Sequence, residues 1–112
     1  MHVKLDCKAN RATLTLSGKF IFTARAPFTM ACQQVLRQAT VRHIDIDFAQ
    51  VDFLDRTALG LLRLFKAQAS AAGKQVTLIH CKGLVLTIMQ VEQLDLLFNL
   101  ENPVELASIA YA

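Results

Sequence analysis

From His43 to Phe48 the chain alternates without a break, with Ile44, Ile46 and Phe48 on one side and His43, Asp45 and Asp47 on the other. A period of two predicts a strand, running to about Ala49, with one packed and one wet face. Further on, Ala58, Leu61, Leu62, Phe65, Ala69 and Ala72 recur at spacings of three and four. That rhythm predicts a helix starting near Thr57 with one stripe turned to a core. Ala71-Ala72-Gly73-Lys74 reads as its stop, with Gly73 as a left-handed cap.

The rest of the chain divides by the same periods. Leu5 to Cys7 and Ala12 to Ser17 predict two strands joined across Lys8-Ala9-Asn10-Arg11, the second ended by Gly18. Lys19 to Ala24 connects to a helix from about Ala26 to Gln38, with Pro27 in its first turn and Phe28, Ala31, Cys32, Val35, Leu36 and Ala39 facing inward. Val51, Phe53 and Leu54 carry the chain over the sheet's end into the second helix. Gln75 to Cys81 predicts another strand and Leu84 to Val91 a third helix. A short edge strand or turn within Leu94 to Leu100 and a last helix over Pro103 to Ala110 are further expectations. The order is β-β-α-β-α-β-α.

Composition narrows the function classes. The chain has 112 residues, 54% of them hydrophobic, which suits one domain spanning 1–112 with a core of its own. No apolar run reaches the roughly 18 residues of a membrane span, so direct membrane insertion is not expected. Met1 to Lys8 lacks the long apolar segment of a secretory signal, and a cytoplasmic location is expected. The net charge is +3 with scattered cations, and one Tyr and seven Phe accompany no Trp. Neither a nucleic-acid tract nor a stacking platform results. Cys7, Cys32 and Cys81 are odd in number and widely spaced, so they read as core residues, with no disulfide framework or zinc site.

The junction Asp55-Arg56-Thr57 places an acid, a base and a hydroxyl where a helix begins and its backbone N–H groups are unpaired. Such a place holds or receives negative charge. Asp55 reads there as the N-cap, and the Thr57 hydroxyl as a group that satisfies a backbone donor. Leu59 lies about 100° from Ala58 on the helix, on the flank shared by Arg63, Lys66 and Ser70, and is expected to be largely exposed. It is then part of a partner-binding face or an incidental surface leucine. His43, Asp45 and Asp47 form a solvated strand face, with no metal expected. No G-x-x-x-x-G-K-[ST], G-x-S-x-G or paired nucleophile and base occurs, so neither an enzyme nor a cofactor is expected.

Five blocks carry a resemblance: Leu14-Thr15-Leu16-Ser17-Gly18, His43 to Phe48, Val51-Asp52-Phe53-Leu54-Asp55-Arg56-Thr57-Ala58-Leu59-Gly60, Ala71 to Val76, and Val91 to Phe98. In order and spacing they resemble the STAS domains, whose best-known members are bacterial anti-sigma factor antagonists. The resemblance implies an α/β STAS-like domain with a mixed four- to five-stranded sheet and helices mainly on one face. It also implies a central motif near Asp-Ser-Ser-Gly-Leu-Gly whose second Ser is phosphorylated. Here Asp55 matches the acid, Thr57 the phosphoacceptor and Gly60 the closing glycine, while Arg56 and Ala58 depart from the pattern.

The function that the resemblance implies is that of a binding module. Unmodified, it would engage an anti-sigma factor that is itself a serine/threonine kinase. Phosphorylation at Thr57 would release it and a cognate phosphatase would reset it, the domain acting as a monomer or weak dimer. Leu59, Arg63 and Lys66 would extend the interface beyond the motif. An accessory subunit of a transporter ATPase, or an adaptor in a sensory complex, is the alternative within the same family.

Overall fold

The computed structural model describes residues 1–101, with side chains placed through residue 98. Strand β1 (His2–Lys8) turns back into β2 (Arg11–Phe20), and a single 3-10 turn at Phe22–Ala24 leads into α1 (Arg25–Leu36). Strand β3 (His43–Leu54), α2 (Arg56–Ala71), β4 (Gln75–Ile79), α3 (Gly83–Val91), the one-turn α4 (Leu94–Leu97) and β5 (Asn99–Glu101) follow. The sheet order is β1-β2-β3-β4-β5. β1 pairs antiparallel with β2, and every other neighbouring pair is parallel. The mixed sheet and element order match the α/β expectation, and α4 with β5 fills the Leu94 to Leu100 segment. The helix expected over Pro103 to Ala110 lies outside the described residues.

One core lies between the sheet and its helices. Leu14, Leu16, Ile44, Ile46, Phe48 and Leu78 are fully buried beneath Phe28, Leu62, Phe65, Val85 and Met89 of α1, α2 and α3. Phe28 links the layers: its ring centroid lies 4.9 Å from Phe20 and 6.2 Å, edge-on, from Phe65. Such ring pairs add orientation to simple burial. The opposite sheet face carries Thr13, Thr15, Asp45, Asp47 and Thr77, all half-buried. There Arg11 pairs with Asp45 at 3.3 Å and His80 Nδ1 meets Asp47 at 2.9 Å. These contacts account for the polar side of β3, and among the described residues no three His, Cys, Asp or Glu side chains converge as metal ligands.

Three strands run longer than their patterns suggested, β1 reaching from His2 to Lys8. Gly18, at φ +99°, stays inside β2 instead of ending it. Opposite it, β3 takes an extra residue twice: Thr15 and Ser17 face Asp47 and Gln50, then Gly18 and Phe20 face Val51 and Leu54. Each irregularity shifts which residues face inward, so Val51 and Leu54 are buried while the alternation is lost. The chain therefore reaches the start of α2 as a strand, not as a loose crossing. Two alanines assigned to core stripes are exposed instead: Ala39 lies beyond the end of α1, and Ala72 is the C-cap of α2.

The end of α2 is a Schellman turn, with Gly73 at φ +74°, the Gly73 N–H donating to Ser70 O, and the Lys74 N–H to Ala69 O. The turn sends Lys74 inward, where it is only 5% exposed. Its Nζ donates to the carbonyls of Gln38 and Val41, both at 2.7 Å. A buried ammonium thus ties the end of α2 to the α1–β3 connection.

Cys7 is exposed, and Cys32 and Cys81 are buried, so only the last two are core residues. Burial raises both buried thiols above their ordinary value of 9.0, Cys81 to about 12 with the charge of Asp47 adding to the effect. Native protein treated with iodoacetamide near pH 8 is expected to be alkylated at Cys7 alone, and unfolded protein at all three, as read by mass spectrometry. A raised folded-state value means stability is intact below the unfolded value and lost as pH climbs through about 9 toward 12.

Candidate functional site

The site sits where β3 hands over to α2. Asp55 is the N-cap, in extended conformation, and its Oδ1 accepts from the Ala58 N–H at 3.0 Å. Its Oδ2 accepts from the Phe22 N–H at 3.1 Å, and its own N–H donates to Phe20 O at 3.1 Å. One carboxylate thus caps α2 and holds the 3-10 turn before α1 against it. Asp55→Ala is expected to cost about 1–2 kcal/mol in chemical unfolding and Asp55→Asn part of that, because the amide keeps one acceptor oxygen for the cap and places an NH2 where the second N–H needs an acceptor.

With Asp55 as the cap, Thr57 is the second residue of the helix. The capping role open to its hydroxyl is taken, and among the described residues the hydroxyl makes no hydrogen bond. Thr57 is half-buried and Arg56 and Gly60 are exposed, whereas Ala58 is fully buried in the core. The Ala58 N–H is bound by Asp55 Oδ1 and the Leu59 N–H by Asp55 O. The N–H groups of Arg56 and Thr57 remain unpaired among the described residues, as does the Arg56 guanidinium. The unpaired N–H groups give this helix start a positive potential.

Leu59 is not exposed as expected: it is 6% exposed and belongs to the core cluster. The helical angle alone misplaced it, because α2 is covered on that flank as well as beneath. Arg63 on the same flank donates to Glu92 O at 3.1 Å and lies 3.6 Å from Glu92 Oε1, tying α2 to the C-cap of α3. Lys66 is half-buried. Leu61, assigned to the core, is only half-buried, and Leu64, one turn further along, is 55% exposed. Thr57, Leu61 and Leu64 are spaced at four and three, so the hydroxyl continues into an apolar stripe on the flank facing α1.

The family model described as "Mlab, STAS domain" matches residues 3–100, nearly the whole described chain. The chain belongs to the STAS family. A STAS-domain containing protein of Pseudomonas aeruginosa is 30% identical over 88 residues, covering 79% of this chain and 85% of the relative. Among solved structures, an anti-sigma factor antagonist from Mycobacterium paratuberculosis superimposes with a TM-score of 0.78 at 15% identity, covering 88% of this chain and 83% of that one. The Bacillus cell fate determinant SpoIIAA in its phosphorylated form gives 0.69 at 16%, covering 91% and 93%. At such identities these structures establish a shared STAS fold. Among the described residues of this STAS domain, no helix is long and apolar enough to cross a membrane.

Proposed function

We propose that this STAS domain is an anti-sigma factor antagonist switched by phosphorylation of Thr57. Unmodified, it binds an anti-sigma factor with serine/threonine kinase activity and so frees the sigma factor. Phosphorylated, it is released, and a phosphatase restores it. The observation that carries the reading is the setting of Thr57: a half-buried residue at the start of α2, its hydroxyl without a hydrogen bond among the described residues, at a helix end with two unpaired backbone N–H groups and next in sequence to the exposed Arg56. Similarity to a fold solved in a phosphorylated form supports it. The domain is a kinase substrate in the cytoplasm, not a catalyst, and needs no cofactor, nucleic acid or membrane insertion.

The switch works through charge. Phosphate adds about −1.5 to −2 charge at neutral pH. Within the free domain the helix start and Arg56 stabilise that charge, so the fold survives modification. In a packed interface the same charge must be stripped of water. Calorimetric titration of the source organism's anti-sigma kinases with the domain, before and after ATP treatment, tests the reading. Binding that disappears after treatment is expected. Binding that persists with no phosphate incorporated contradicts it, and no binding at all is the behaviour of a transporter ATPase's accessory subunit.

A further inference from the structure

We infer that the groove between α1 and α2 docks an amphipathic helix of a partner protein, one that carries carboxylates beside its apolar stripe. This rests on the Thr57 reading only for the identity of the switch and adds the chemistry of the partner. An open groove of about 420 Å³ runs between the two helices, lined by Arg25, Ala26, Thr29, Met30, Leu61 and Leu64. Met30 is 64% exposed and Leu64 55%. Single exposed apolar residues are ordinary, but a contiguous apolar channel between two packed helices is the shape that receives a third. Thr57 lies on the same stripe of α2 as Leu61 and Leu64, one turn before the first of them.

Charge selects the occupant. Arg25 lines the groove, no Asp or Glu lines it, and the exposed Arg56 opens the helix that carries Leu61 and Leu64. The adjacent Asp55 has one carboxylate oxygen bound by the Phe22 N–H and the other by the Ala58 N–H. A helix with acidic flanks is therefore complementary and one with basic flanks is repelled. A second copy of this chain cannot supply it from its described helices: α1, α2 and α3 contain no Asp or Glu, and α4 is only four residues long. Phosphate on Thr57 would place negative charge one turn before Leu61, on the stripe of α2 that leads into the groove. Repulsion then adds to the desolvation that releases the partner.

The test uses the whole unmodified chain with Leu and Met methyl groups labelled for NMR. It is titrated with two synthetic amphipathic helices of about 18 residues that share one leucine stripe, one flanked by Glu and the other by Lys. The Glu peptide is expected to shift the Met30, Leu61 and Leu64 methyl signals and to bind at least about tenfold more tightly than the Lys peptide. Leu64→Glu, at an exposed site, should abolish those shifts with the unfolding temperature unchanged, and Arg25→Glu should remove the preference between peptides. Equal affinity, shifts confined to the open sheet face, or no shift at millimolar peptide overturns the inference. So does a concentration-dependent dimer, in sedimentation, that Leu64→Glu dissolves. No kinase enters this experiment, so its failure leaves Thr57 phosphorylation standing, and absence of phosphorylation leaves the groove standing.

Discussion

Thr57→Glu is expected to weaken binding to the anti-sigma kinase roughly a hundredfold, while Thr57→Ala stays within a few-fold of the unsubstituted protein. Burying a carboxylate at an interface at a cost of about 3 kcal/mol gives that ratio. Thr57 is half-buried at the second position of α2 and its hydroxyl bonds nothing among the described residues, so Ala removes no capping interaction. Glu meets the helix start favourably, so neither variant should unfold the domain. Surface plasmon resonance gives the affinities and circular dichroism the folding control. Equal affinities for the two variants would remove the charge switch.

Lys74→Met should produce the largest loss of stability among surface-preserving changes, about 3 kcal/mol, lowering the unfolding temperature by roughly 10 °C or more. Met keeps the aliphatic stem but leaves the buried Val41 carbonyl, bonded at 2.7 Å in the unsubstituted protein, without its donor, and takes from the Gln38 carbonyl one of two, the Val41 N–H at 3.1 Å being the other. An unsatisfied buried carbonyl costs more than the net value of the bond it lost. Gln75→Ala, at the exposed neighbouring position, should change stability by less than about 0.5 kcal/mol. Urea denaturation separates the two, and a Lys74→Met protein as stable as its Gln75→Ala counterpart would show that the buried ammonium is incidental.

The elements with a clean period were legible in the chain itself. Ile44, Ile46 and Phe48 face the core as their alternation requires, and Ala58, Leu62, Phe65 and Ala69 form the buried stripe of α2. Asp55 was legible as a cap because a short acid before a helical pattern can bond the exposed N–H groups. Where side-chain placement depended on a third element, the pattern was silent. Leu59 lies off the stripe, yet it is 6% exposed within the core cluster. Lys74 looked like an ordinary residue after a helix stop, because its partners are 36 and 33 residues away in sequence. The irregular pairing of β2 with β3 likewise concealed the last part of β3, since each extra residue resets the inward phase.

The candidate site divides in the same way. Local chemistry pointed to Asp55 and Thr57, both of which lie at the start of α2. The flank around them depended on packing: Arg63 bonds Glu92, Leu59 is in the core, and the exposed apolar stripe runs through Leu61 and Leu64 on the α1 side. A helical wheel drawn for α2 alone gives both flanks equal standing. Only the positions of α1 and α3 distinguish them.

The most direct test is to incubate the purified chain with the source organism's anti-sigma kinase and ATP, then locate the phosphate by tandem mass spectrometry. A single phosphate on Thr57, absent from Thr57→Ala, is the expected result. Phosphate on another residue, or none with a kinase that binds the domain, contradicts the assignment of Thr57 as the switch.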